Sequence, residues 1–134
     1  MSPMNSGEPG DATKVIERFV SAFLQRDPTV FVDIVARDCV METIQPAPNG
    51  TRYEGYEANV RFWQSMVADP HGSLEVEEVF VAGNRGVNRW RYRFGKGDDH
   101  SVRGVTLLKV ENGKIVEALA YAKMQPVTDL GQSG

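Results

Sequence analysis

The chain has 134 residues, 41% hydrophobic and 25% charged, the composition of one ordinary globular domain that buries roughly two thirds of its unfolded surface. Its 15 Lys and Arg against 18 Asp and Glu give a net charge of -3, which offers no general attraction to nucleic acid or to an anionic membrane. One cysteine, Cys39, excludes an intrachain disulfide and a cysteine-based zinc site, and no stretch has the length and apolarity of a membrane span.

The opening MSPMNSGEPG is small, polar and without a basic-then-apolar leader, so residues 1–10 are expected to be a disordered tail and the protein cytoplasmic. Asp11 then reads as the cap of a helix to about Arg26, with Val15, Phe19, Ala22 and Phe23 on its apolar face. Asp27-Pro28 starts a second helix, with Phe31, Ile34 and Val35 on one side, ending near Arg37-Asp38. CVMETIQP (39–46) reads as a strand, and the Pro- and Gly-containing PAPNGTRYEG as a loop. Tyr56 to Val67 is helical, with Tyr56, Val60, Trp63 and Val67 on one stripe, and DPHG stops it.

The rest alternates as strands do. SLEVEEVFVAG (73–83), VNRWRYRF (87–94), HSVRGVTLLKV (100–110) and KIVEALAYAKM (114–124) are separated by turns rich in Gly and Asn, a strong hairpin pattern. The predicted fold class is α+β: a curved antiparallel sheet with three helices from the N-terminal half packed on one face, spanning 11–126, with a flexible tail at 127–134.

In VNRWRYRF three arginines alternate with three aromatics, a pairing that also occurs on single-strand nucleic-acid surfaces. With a net negative chain and period two, it reads instead as one strand with Arg89, Arg91 and Arg93 on the outer face and Trp90, Tyr92 and Phe94 on the inner, Asn88 among them. No nucleic-acid or membrane partner is expected. No spacing reads as a metal site, because His71 and His100 sit in turns, and no Gly-rich junction reads as a phosphate or dinucleotide cradle.

The element order, with ARDCVMETIQP (36–46), YEGYEANVRFW (53–63) and GKIVEALAYA (113–122), resembles the nuclear transport factor 2-like superfamily, near its SnoaL-like polyketide cyclases and ketosteroid isomerases. The resemblance covers about residues 12–125. It implies a cone with a pocket for a small hydrophobic molecule between sheet and helices, no cofactor, and a homodimer through the outer sheet face. It also implies which chemistries are absent. The isomerases' tyrosine, base and oxyanion aspartate map to Phe19, to Thr43 or Gln45, and to Thr106; all three are replaced, and a threonine is no base near neutral pH while a phenylalanine donates no hydrogen bond. The epoxide hydrolases' Arg, Asp and second Asp map to Trp90, Tyr92 and Ala120.

The implied pocket is therefore lined by Phe19, Phe23, Met41, Thr43, Gln45, Trp63, Asn88, Trp90, Tyr92, Thr106, Leu108, Ala118 and Ala120, small residues of the last strand facing large aromatics. Two residues are candidate catalysts. Glu42 is the lone carboxylate within the first strand; parity points it outward, and a bulge before Pro46 would reverse that. Tyr53, in the loop over the pocket mouth, is a candidate hydrogen-bond donor. The expected function is binding of a hydrophobic, oxygenated small molecule, with cyclisation or isomerisation as its chemistry. A non-catalytic binding protein and a dimeric interaction module are the alternatives.

Overall fold

The computed structural model describes residues 9–96 and 100–123. Helix α1 (Pro9–Leu24) begins ahead of Asp11, the expected cap. It buries Val15, Ile16, Phe19, Val20 and Ala22 along one face, the stripe that its periodicity dictates. Arg26 follows at φ +52° and reaches across to α3 (Tyr56–Ala68), donating to the carbonyls of Val67 at 3.1 Å and Asp69 at 3.0 Å and to that of Gly72. The last turns of the two helices are thereby tied together, and those carbonyls gain the partners that helix ends lack.

The second helix is shorter than the sequence suggests. α2 covers only Val30–Ile34, because Val35 turns extended (φ -98°, ψ 130°) and opens strand β1 (Val35–Glu42). Ile34, Val35 and Ala36 are all buried, and no single helix face can bury three consecutive residues. Pairing with the last strand resolves this by putting Val35 opposite Ile115. Asp27 still organises the turn, its Oδ1 accepting the Thr29 N–H at 3.0 Å and hydroxyl at 2.7 Å.

The loop after β1 contains an unexpected strand, β2 (Arg52–Glu54), paired antiparallel with Val40–Glu42. Thr43 closes the hairpin: its N–H donates to Thr51 O, and its Oγ1 accepts the Thr51 N–H, both at 3.0 Å. Gly55, at φ +97°, then redirects the chain into α3 in a conformation that suits glycine. α3 buries Asn59, Val60, Trp63 and Val67, and the Tyr56 hydroxyl donates to Val32 O at 2.8 Å.

Strands β3 (Ser73–Ala82), β4 (Arg85–Arg93), β5 (Ser101–Glu111) and β6 (Lys114–Lys123) form the expected antiparallel meander. The sheet order is β2-β1-β6-β5-β4-β3, and β1 lies parallel to β6, so the sheet as a whole is mixed. The core fills the space between one sheet face and the three helices, centred on Ile16, Phe31, Ile34, Leu108 and Ile115.

Alternation on β4 is as the sequence predicts. Asn88 and Trp90 are buried inward, while Arg89, Arg91 and Arg93 lie on the outer face. A bulge at Glu77 lets one carboxylate meet several of the outer arginines. Arg89 and Arg103 approach it at 2.9 Å and Arg91 at 3.9 Å, and Arg93 pairs with Glu75 at 2.5 Å. No described helix is long and apolar enough to cross a membrane. Asp98, Asp99 and the tail at 127–134 lie outside the described residues, as do residues 1–8 of the expected N-terminal tail.

Candidate functional site

Between the helices and the inner sheet face lies a cavity of about 590 Å³, within the range of small-molecule pockets. α1 contributes Phe19 and Phe23, and α3 contributes Phe62, Trp63 and Met66. These rings brace one another edge to face. Phe19 lies 5.0 Å from Phe23 and 5.0 Å from Trp63, the latter pair at 78°, while Phe31 backs Trp63 at 5.7 Å. The sheet side supplies Asn88, Trp90 and Tyr92 from β4, Thr106 from β5, and Ala118 and Ala120 from β6. Ala120 is the cross-strand partner of Thr106, and Thr106 that of Asn88, so small and polar residues make a hollow beside the large rings.

Leu108 is a correction. It faces inward as its parity requires, yet it is 1% exposed in the packed core and does not line the cavity. Its cross-strand partner Gly86 lies under the Ile16 side chain, where a Cβ would meet Ile16 Cδ1 at 2.3 Å. α1 thus closes that end of the sheet, and the cavity begins one inward layer further along, at Asn88 and Thr106.

Glu42 borders the cavity only at its rim, and its side chain keeps the outward parity of the strand: its register partners are Arg52 on β2 and Leu119 on β6, on the face opposite Met41, Tyr53 and Ala118. Its Oε2 takes a hydrogen bond from Arg52 at 3.2 Å, and Arg52 also holds Glu54 at 2.6 Å; no group among the described residues bonds Glu42 Oε1. Thr43 and Gln45 border the cavity too, but the Thr43 hydroxyl already donates to Gln45 O at 3.0 Å. Tyr53 lines the cavity from β2 with its ring 5.0 Å from Phe62. Its hydroxyl has no partner among the described residues, which leaves it available to a ligand oxygen.

Polar groups inside are few. The Trp90 indole N–H donates to Thr106 Oγ1 at 2.9 Å. Asn88, 1% exposed, has no side-chain hydrogen bond among the described residues. Burial, with the Asp69 charge, raises the Tyr92 phenol above its usual pKa, so the ring stays neutral in the physiological range. Cys39, on β1, lies outside the cavity lining and is fully buried, and burial pushes its thiol up to about 12, which removes it as a nucleophile. No cluster of three His, Cys, Asp or Glu residues able to hold a metal ion occurs among the described residues.

Lining residues that the sequence did not single out are Ile44, Thr51, Phe62, Met66, Leu74 and Val102, while Phe94, which alternation puts on the inner face, lines the cavity as well. Phe62 and Met66 share a helix row at i, i+4, adjacent to the Trp63 stripe. Leu74 and Val102 flank Tyr92 on the neighbouring strands. Their positions follow from the register of β3 and β5 against β4.

Three comparisons bear on this geometry. The family described as SnoaL-like domain matches residues 16–118. An NTF2-like protein of unknown function from Mesorhizobium loti is 37% identical, with a TM-score of 0.83 over 92% of this chain and 98% of its own. A steroid delta-isomerase from Pseudomonas aeruginosa (13% identity, TM-score 0.69, 98% of this chain and 88% of its own) shares the fold. So does an LEH-like epoxide hydrolase from M. tuberculosis (16%, 0.69, 89% and 83%). No curated protein matches the chain by sequence.

Proposed function

The chain belongs to the SnoaL-like domain family, and on that premise we propose that it binds a hydrophobic, oxygenated small molecule between its helices and sheet. The observation that carries this reading is the cavity itself. Some 590 Å³ is walled mainly by aromatic and aliphatic side chains, with isolated polar groups and, among the described residues, Glu42 at its rim. The names of two fold neighbours, a steroid isomerase and an epoxide hydrolase, describe proteins acting on molecules of this kind.

The catalytic extension of the reading is a cofactor-independent cyclisation or isomerisation. To take a proton from carbon beside a ligand carbonyl, Glu42 has to leave Arg52 and turn round the end of β1 onto the face that carries Tyr53. Tyr53 donates a hydrogen bond to the enolate oxygen so formed. The same proton is returned to carbon or oxygen of the product, leaving both side chains as they began. A non-catalytic binding protein is the second reading. It is favoured by Phe19, Trp90, Tyr92, Thr106 and Ala120, which stand where the resembled isomerases and hydrolases carry acids, bases or donors.

Tryptophan fluorescence tests the binding, since Trp63 and Trp90 both line the cavity. Titration with polycyclic ketones is expected to give a saturable change, and no response to any of them would remove the reading. Turnover of such a ketone that is abolished by Glu42→Gln favours the enzyme; turnover that survives both Glu42→Gln and Tyr53→Phe removes these two residues as catalysts.

The outer sheet face suits a second copy of the chain. Phe80, Val87, Leu107 and Leu119 are successive cross-strand partners, forming an apolar row across four strands, with Tyr121 beside it. Phe80 and Tyr121 are more than half exposed. Arg85, Lys109 and Glu117 flank the row on one side and Glu77, Arg89 and Arg103 on the other. A two-fold axis laying row on row would bury the apolar stripe inside a rim carrying both charge signs. Sedimentation is expected to give a dimer that Leu107→Arg splits; a monomeric parent protein would rule the arrangement out.

A further inference from the structure

Strand β1 stops short of the strand beside it. Its last partner on β6 is Leu119, opposite Glu42, whereas β6 runs on to Lys123, and β2 pairs with β1 alone. The tip of the β1–β2 hairpin, residues 43–51, therefore projects past Glu42 and Arg52 with no further strand beside it among the described residues. It stands at the cavity opening: Ile44, Gln45 and Thr51 border the cavity, and residues 45–49 are exposed.

The tip is stiff although it leaves the sheet. The Gln45 carbonyl accepts both threonine hydroxyls, Thr43 at 3.0 Å and Thr51 at 2.9 Å, while the Thr51 N–H donates to Thr43 Oγ1 at 3.0 Å. Gly50 donates its N–H to Pro46 O at 2.7 Å and sits at φ +75°, where a Cβ would fall on the Thr43 carbonyl oxygen. A hydrogen-bonded knot at the base makes these residues one small body, and the sheet holds that body only through Glu42 and Arg52.

The tip and the wall it faces are both apolar surfaces left in water. Ile44, Pro46, Ala47 and Pro48 lie on the tip. Phe94, which lines the cavity and is 49% exposed, stands at the same end of the sheet, three strands away through β6, β5 and β4. Three strand spacings separate them by roughly 14 Å, too far to touch each other and a span that a tricyclic ligand bridges. A ligand in the cavity therefore gives the tip an apolar surface to cover that the empty protein lacks, and this difference is what shifts such a segment toward a closed position.

We propose that residues 43–51 form a flap that turns inward about Glu42 and Arg52 and closes the cavity over a bound apolar ligand, with the knot at Gln45 keeping it rigid. This rests on the cavity-binding reading and adds to it how the ligand is retained.

The test uses the full chain and fluorenone, a flat tricyclic ketone. Cys39 is fully buried, so a thiol-reactive nitroxide goes to a cysteine introduced at an exposed site: Asn49→Cys on the flap, or Asn84→Cys in the β3–β4 turn at the opposite end of the sheet. Saturation with fluorenone is expected to broaden the electron paramagnetic resonance spectrum of the first label and to leave the second unchanged. Thr51→Val deletes one bond of the knot and is expected to speed fluorenone release, followed by stopped-flow tryptophan fluorescence, about fivefold, while Thr51→Ser releases it at the parent rate. An unchanged spectrum at position 49, with equilibrium dialysis showing fluorenone bound, overturns the flap while the cavity reading stands. An equal change at position 84 also overturns it, because the whole fold would then be tightening, and so does parent-like release from Thr51→Val. If fluorenone does not bind the parent protein, the cavity reading falls and takes the flap with it.

Discussion

Trp90 lies across Gly104, its direct partner on β5, and donates its indole N–H to Thr106 two residues further along that strand. The absence of a side chain at Gly104 is what admits the ring: a Cβ there would stand 2.7 Å from Trp90 Cη2 and 2.4 Å from the Tyr121 carbonyl oxygen. Gly104→Ala is therefore expected to push the indole away from the sheet, breaking the Thr106 bond and narrowing the cavity. Overpacking of this kind costs about 1–3 kcal/mol. Urea unfolding gives the stability change, and the emission maximum of Trp90, read in a Trp63→Phe background, gives the displacement. An unchanged midpoint would mean that the two strands part without resistance.

This contact also marks the limit of what the residues announce on their own. The alternation in VNRWRYRF is enough to put Trp90 inside and the arginines outside, because one strand has one period and two faces. Gly104 has no such signature, since its role exists only in the register between β4 and β5. The same distinction holds elsewhere. Phe19, Trp63, Ala118 and Ala120 come from helix stripes or strand alternation and reach the cavity. Strand β2 depends on three residues finding Val40–Glu42, and the end of α2 depends on Val35 finding Ile115; both are long-range pairings that override local preference. Glu42 keeps the outward parity that alternation predicts and meets the cavity only at its rim, whereas Leu108 misses the cavity because Ile16 covers Gly86. The second fact belongs to a tertiary contact.

Cys39 should set an alkaline limit to stability. Burial, followed by the charges of Asp38 and Glu117, raises its thiol from 9.0 to about 12. The unfolded chain ionises first, so the thiol's contribution is complete below pH 9 and lost as pH rises from about 9 to 12. The slope approaches 1.4 kcal/mol per pH unit in that window. Tyr92, also raised, acts in the same direction above its ordinary value near 10. Chemical denaturation between pH 8 and 11 is expected to show this decline, and Cys39→Ala to flatten it. Iodoacetamide should label Cys39 only in denaturant. Rapid labelling of the native protein would contradict its burial.

Glu77 governs the acid side of the outer face. The hydrogen bond from Arg103, reinforced by the charges of Arg103, Arg89 and Arg91, holds its carboxyl below the usual value. A depressed carboxylate supports the fold above the unfolded-state value near 4.5 and loses that support as pH falls through its folded value. Because the network is open to solvent, the effect should be modest and screened by salt. Melting curves from pH 3 to 6 are expected to be less pH-dependent in Glu77→Gln than in the parent at low salt, and the two should converge in 1 M NaCl. A difference that persists undiminished in salt would point to packing at the bulge instead.

Asn59 ties three segments of the chain together. Its Nδ2 serves three carbonyls where β1, β2 and the start of α3 converge, and the Cys39 carbonyl has a second donor in the Gly55 N–H at 2.8 Å. Asn59→Ala should leave the Tyr53 and Gly55 carbonyls without that donor and open a void beneath them, at about 1–3 kcal/mol for the lost bonding. Because Tyr53 is among the groups held, the damage should extend to ligand binding through that side of the cavity. The expected pattern is a lower unfolding midpoint and weaker binding of apolar and oxygenated ligands alike. A loss confined to oxygenated ligands would instead give Asn59 a direct part in recognition, which its place outside the cavity lining argues against.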